Sequence, residues 1–114
     1  MITSILTSTK KMLGIDESYT HFDPDIIMHI NTAFFNLNQL GVGPETPFMI
    51  EDKSTDWDEF AGEGDAEAVK TYVFLKVRSY FDPPQNGTHI NAMNEQIKEL
   101  EWRLNAQVDP GEED

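Results

Sequence analysis

Three histidines, His21, His29 and His89, are the first residues to weigh for chemistry, and they lie on separate segments with no shared spacing. A zinc site needs a His or carboxylate pair at i, i+3 or i+4 on one helix face, or a close pair in a loop. His29 has only Asp25 four residues before it, which is half of such a site. Asp56, Asp58 and Glu67 fall at positions 1, 3 and 12 of a calcium-loop pattern. Phe60 then stands at position 5, and Ala61 stands where the sharp turn requires glycine. Among 21 acidic residues, paired carboxylates arise everywhere, and none is set beside a nucleophile. The chain has no phosphate-binding loop, dinucleotide fingerprint or glycine-flanked serine. Cysteine is absent, which removes disulfides, thiolate ligands and thiol nucleophiles. Asn86-Gly87-Thr88 has the form of a glycosylation sequon, but reads better as the turn and cap ahead of a helix. No catalytic residue, metal or cofactor is expected, and the chain is not expected to be an enzyme.

What remains is surface chemistry. With 8 basic against 21 acidic residues, the 114-residue chain carries a formal charge of −13. Such a balance opposes a sequence-independent grip on nucleic acid, which runs on counterion release by clustered cations. It equally opposes docking on anionic lipid. Glu45 to Glu67 alone holds nine acids and one lysine, Lys53. Trp102 sits two residues from both Leu100 and Leu104. It either widens a buried stripe or stands out as an aromatic anchor for another subunit or partner, with Lys98 and Arg103 near enough to pair with a neighbour's carboxylates.

The elements that must position these residues read as helices. Ile2, Ile5, Leu6, Thr9, Met12 and Leu13 predict a first helix over about 2–13, closed by Gly14. Asp23 as N-cap and Pro24 at the first position open a second, whose stripe Ile26, Ile30, Ala33, Phe34, Leu37 and Leu40 ends at Gly41; Ile27 and Phe35 widen it. The third, from Asp65 to Phe81, is apolar nearly all round and belongs at the centre of a bundle or oligomer; its β-formers make a strand the competing reading. Asp82-Pro83-Pro84 stops it. The fourth covers about 88–106, with Ile90, Met93, Ile97, Leu100 and Leu104 stepping by 3 and 4. Between the second and third lies a long acidic connection in which Phe48-Met49-Ile50 is at most a short strand. Trp57 and Phe60 pin it to the core through one helical turn around 56–60. The expectation is an all-α domain of about four helices over residues 1–108, followed by an acidic C-terminal tail, 109–114. The N-terminus lacks the basic start and apolar run of a signal peptide, and no stretch reaches the roughly 20 apolar residues of a membrane span, so a soluble intracellular domain is expected.

Larger textures carry a resemblance. Phe22-Asp23-Pro24-Asp25-Ile26-Ile27-Met28-His29-Ile30-Asn31 and Leu37-Asn38-Gln39-Leu40-Gly41-Val42-Gly43 are two such stretches. Ala68-Val69-Lys70-Thr71-Tyr72-Val73-Phe74-Leu75-Lys76-Val77-Arg78 and Phe81-Asp82-Pro83-Pro84 are the others. Together with the short opening helix and the closing Glu99-Leu100-Glu101-Trp102-Arg103-Leu104-Asn105, the arrangement resembles the head–tail connector (adaptor, or head-completion) proteins of long-tailed bacteriophages. The resemblance implies a structural virion protein at the head–tail interface, assembled in host cytoplasm. It implies a homo-oligomeric ring, a dodecamer on the portal, with a stopper or tail-completion protein on its far side. Such a ring closes the packaged head and forms part of a channel through which DNA passes without specific binding. Trp102, Arg103, Val108, Asp109 and Pro110 are then candidates for the subunit or portal interface. Glu51, Asp52, Asp56, Asp58, Glu59 and Glu63 are candidates for an acidic channel wall or assembly loop, ordered by docking. An acid-rich wall repels phosphate and lets a duplex slide. The rival reading is an acidic DNA mimic, or another interaction module, that inhibits a nucleic-acid-binding enzyme.

Overall fold

In the computed structural model, residues 4–43, 48–61 and 66–108 are described, and they form five helices: α1 (Ile5–Leu13), α2 (Asp23–Gln39), α3 (Trp57–Ala61), α4 (Ala66–Phe81) and α5 (Gly87–Val108). The all-α expectation holds, and among the described residues no strand forms; Phe48 to Ile50 has no regular secondary structure. The fifth helix is α3, the turn expected within the long connection.

Each boundary has a local cause. α1 begins at Ile5 because Ser4 caps it: its hydroxyl oxygen accepts from the Thr7 N–H at 3.2 Å. The Ile5 N–H donates to the Thr55 carbonyl at 3.0 Å, which ties the helix start to the long connection. The expected residues before Ser4 lie outside the described residues. Gly14, at φ 83°, closes α1, with its own N–H on Lys11 O and the Ile15 N–H on Lys10 O. Gly41, also at φ 83°, closes α2 by the same pattern, the Val42 N–H reaching Leu37 O at 2.9 Å. Asp23 does not cap α2, contrary to expectation. Phe22 occupies the cap position, and the Asp23 carboxylate turns to Lys10 Nζ at 2.8 Å. α5 starts as expected, with Asn86 Oδ1 accepting from the Thr88 and His89 N–H groups at 2.7 and 3.2 Å.

α4 is the middle element. It touches each of the other four helices, and Val69, Tyr72, Val73 and Val77 are buried along it. The apolar run that the sequence places at the centre of a bundle is satisfied within one chain. α2 lies on one side of α4, antiparallel, with Phe22 on Phe81 and His29 stacked on Tyr80 at centroid distances of 5.2 and 5.4 Å. α5 packs against α4 along a groove lined by Thr71 and Leu75, and its Asn105 amide donates to the Leu40 carbonyl at 3.0 Å, so it also meets the C-terminal end of α2. The Tyr72 hydroxyl donates to Glu101 Oε2 on α5 at 2.7 Å. Ile26, Ile30, Phe34 and Leu37 of α2, with Met93, Ile97 and Leu104 of α5, complete the core. Phe35, expected to widen the α2 stripe, is 49% exposed, because α4 and α1 cover only the opposite side of α2.

Candidate functional site

The acidic connection is a packed segment along 48–61, built from the aromatic side chains outward. Phe34 of α2 holds Phe48 at 5.1 Å and Phe60 at 4.8 Å between ring centroids, with Trp57 at 6.2 Å. The Trp57 indole N–H donates to Ser8 Oγ at 2.8 Å, so α3 is fixed to α1 as well as to α2. Asn31 supplies a two-way clamp: its Oδ1 accepts from the Ile50 N–H at 2.8 Å and its Nδ2 donates to the Ile50 carbonyl at 3.0 Å. The buried Ile50 side chain then acts as a plug. Gly43 permits the entry to this segment, since at φ 91° a Cβ there would stand 2.5 Å from the Phe60 ring.

These anchors turn carboxylates outward. Glu51, Asp52, Asp58 and Glu59 are exposed and Asp56 is half-buried, whereas Glu63 lies outside the described residues. Glu59 also has a local task, its Oε2 accepting from the Asp56 N–H at 3.0 Å at the start of α3. Asp52 accepts from both the hydroxyl and the N–H of Ser54, and these two bonds hold its carboxyl below the usual carboxylate range. Asp16 repeats the device with the N–H and hydroxyl of Ser18, and its carboxyl is lowered for the same reasons. Hydrogen bonds to the ionised form keep these surface groups negative. An open groove of about 350 Å³ joins the segment to α1 and α2, with Glu17, Asp23, Glu51, Asp52 and Lys53 on its walls.

Lys10 closes one side of that groove and was not singled out by spacing. It is only 2% exposed, and its ammonium donates to the Glu17 and Tyr19 carbonyls at 3.0 and 2.7 Å while pairing with Asp23 at 2.8 Å. A buried cation is tolerated because oxygens replace its water. It stands in the last turn of α1, where a cation suits the helix end, and the path of residues 15–22 makes it a buried hub.

On α5, Trp102 is 72% exposed, so it does not widen the buried stripe. Beside it, Arg103 is held by Glu99 at 2.8 Å. Val108 is the last residue of α5, and Asp109 and Pro110 lie outside the described residues. The structure does not bring Trp102 and the acidic segment together. Charge is also divided along the chain: residues 1–65 carry 12 acids and three cations, residues 66–108 carry five of each, and 109–114 carry four acids. All five cations beyond residue 65 lie on α4 or α5.

Among the described residues no group of three or more metal-binding side chains converges. His29 stacks on Tyr80, His21 packs against Phe22, and His89 is exposed at the start of α5. Asp56 and Asp58 open no ion-binding loop; they belong to the start of α3. Among the described residues, no helix is long and apolar enough to cross a membrane. A family model described as phage connector protein matches residues 5–111. No curated protein and no solved structure matches the chain.

Proposed function

The chain belongs to the phage connector protein family, a structural rather than enzymatic family, and on that premise we propose that it forms a homo-oligomeric ring between the portal and the tail-side completion protein. The ring, a dodecamer on the portal, closes the packaged head and contributes part of the channel wall. The observation that supports this reading is the pinned segment 48–61. It turns Glu51, Asp52, Asp58 and Glu59 to solvent from a scaffold fixed by Ile50, Trp57 and Phe60. A wall that meets moving DNA needs negative charge to repel phosphate, on a backbone too firmly held to snag it. The protein acts in the virion, after assembly in host cytoplasm.

The test is a mass measurement in solution, first alone and then with purified cognate portal rings. Loading onto the portal at fixed stoichiometry is the expected result. A chain that ignores the portal but competes with DNA for a basic enzyme refutes the proposal and supports the DNA-mimic reading, and its binding would weaken steeply with salt.

A further inference from the structure

One side of α2 carries exposed apolar side chains, and Asn31 stands at its centre. Met28 lies three residues before Asn31 and Phe35 four residues after it, so the three share a face of the helix. Both Met28 and Phe35 are exposed. Through its two hydrogen bonds to Ile50, Asn31 also draws residues 48–52 alongside, which sets exposed Met49 next to them. Met28, Phe35 and Met49 belong neither to the core nor to its partly buried margin. The 48–53 segment runs antiparallel to α2: Phe48 meets Phe34, Ile50 meets Asn31, and Glu51, Asp52 and Lys53 line the groove with Ile27 and Asp23. The Glu51 and Asp52 carboxylates thus arrive at the N-terminal end of the face, where Asp25 stands exposed on the first turn of α2. Lys53 is exposed beside them, and His29 is stacked on Tyr80. From residue 15 to 61, the described residues hold nine acids and one cation, Lys53.

We propose that this face, Met28, Phe35 and Met49 with Asp25, Glu51 and Asp52 at its end, is the docking site for a basic amphipathic helix of a different protein. Met28 and Phe35 stand about 10 Å apart along the axis, a span that an incoming helix meets with apolar side chains two turns apart. Methionines adapt their shape to such a partner, the phenylalanine ring supplies a large area to bury, and the carboxylates at one end fix its direction by pairing with cations. An extended peptide is a poorer fit, because among the described residues there is no strand edge for it to join. A second copy is a poorer fit as well. It brings a further formal charge of −13, and its α5, which bears the exposed Trp102, carries Glu95, Glu99 and Glu101 against Lys98 and Arg103. The proposal goes beyond the ring reading: it concerns the chemistry of one partner and stands whether or not copies of the chain close a ring.

The probe is a synthetic peptide of about 18 residues, five helical turns, with leucines on one face and lysines on the other. A control peptide has glutamates in place of the lysines. Each is titrated into the full, isotope-labelled chain and followed by nuclear magnetic resonance. The lysine peptide is expected to bind and to shift the resonances of Met28, Phe35 and Met49 first, while the glutamate peptide leaves the spectrum unchanged. Phe35→Ser is expected to weaken binding roughly tenfold, and Met28→Ser is the second variant should the first melt below the wild type. Glu51→Gln is expected to weaken binding about two- to fivefold. Glu95→Gln removes the same charge from α5 and is expected to leave binding unchanged. Shifts scattered over the acidic surface, with both serine variants binding as the wild type does, mean attraction by charge alone and overturn the proposal. Equal binding of the two peptides overturns it too, as does no binding at concentrations on the order of 1 mM or self-association of the free chain that covers Met28 and Phe35. None of these results bears on the connector reading, which loading onto the portal decides.

Discussion

Replacing Asn31 by alanine removes the clamp that holds the acidic segment to α2. Two hydrogen bonds disappear, the 2.8 Å bond from the Ile50 N–H and the 3.0 Å bond to the Ile50 carbonyl. Each is worth about 1 kcal/mol net, and leaving both backbone groups beside a buried Ile50 without partners adds part of their desolvation cost. The expected loss is about 2–3 kcal/mol. For a domain of this size, that lowers the melting temperature by roughly 10–20 °C. Urea denaturation followed by circular dichroism measures the free energy, and amide exchange at Ile50 locates it. The Ile50 amide is expected to be protected in the isolated wild-type chain and to exchange at least about tenfold faster in the variant, by the same free-energy argument. Asn31→Asp is the companion variant: it keeps the acceptor for the Ile50 N–H but sets a carboxylate oxygen against the Ile50 carbonyl, so it too is expected to destabilise. If alanine costs less than about 0.5 kcal/mol and Ile50 exchange is unchanged, the segment is not held by Asn31. An unprotected Ile50 amide in the free wild-type chain would instead support ordering on docking as the origin of this conformation.

Lys10→Met is expected to cost about 3 kcal/mol, since it strips donors from the Glu17 and Tyr19 carbonyls and leaves Asp23 without its cation; a loss below about 1 kcal/mol in urea denaturation counts against the hub. Gly43→Ala is expected to lower stability by about 1–2 kcal/mol, from the left-handed backbone and the Phe60 ring it must displace, and a melting curve that overlays the wild type refutes the tight approach. Tyr72 is buried against Glu101, and both the burial and that hydrogen bond raise its phenol above the ordinary value of 10.0. A raised value means its stabilisation is complete below about pH 10 and declines as pH climbs above that. Tyr72→Phe is therefore expected to flatten the stability profile above pH 10, and a profile that falls as steeply without the hydroxyl shows that another group is responsible.

Much of the fold is legible where punctuation and period agree. Gly14, Gly41 and Pro83-Pro84 end their helices at or near the expected points, and the Ile97–Leu104 seam faces α4 as its spacing requires. The positions that the sequence misplaced or left open share one physical origin: their surroundings are set by residues distant in sequence. Asp23 has the composition of an N-cap, but a charged ammonium is a stronger partner than a backbone N–H, and Lys10 lies 13 positions away. Asn31 looks like any polar residue on a helix until Ile50, 19 positions on, is laid against it. Phe35 and Trp102 are both aromatic residues beside apolar stripes, and only the number of helices packed around each decides that both are exposed. The acidic candidates were legible as charge, while the aromatic cluster that displays them was legible only as Trp57 and Phe60.

The placement of α4 also sets an order of events in time. Its contact with α5 closes across residues 82–86, whereas its contact with α2 closes across 40–65, a connection about five times longer. Loop closure grows with the logarithm of length, so the second contact carries an extra entropic cost of about 1.5 kcal/mol. The folding nucleus inferred from this asymmetry is the α4–α5 hairpin, with α2, α1 and the acidic segment condensing on it later. Truncations at Val77 and Ile97 would then slow folding in proportion to the stability they remove, while truncations at Ile50 and Trp57 would mainly speed unfolding. Kinetic measurements showing the reverse pattern would place the nucleus on α2 instead.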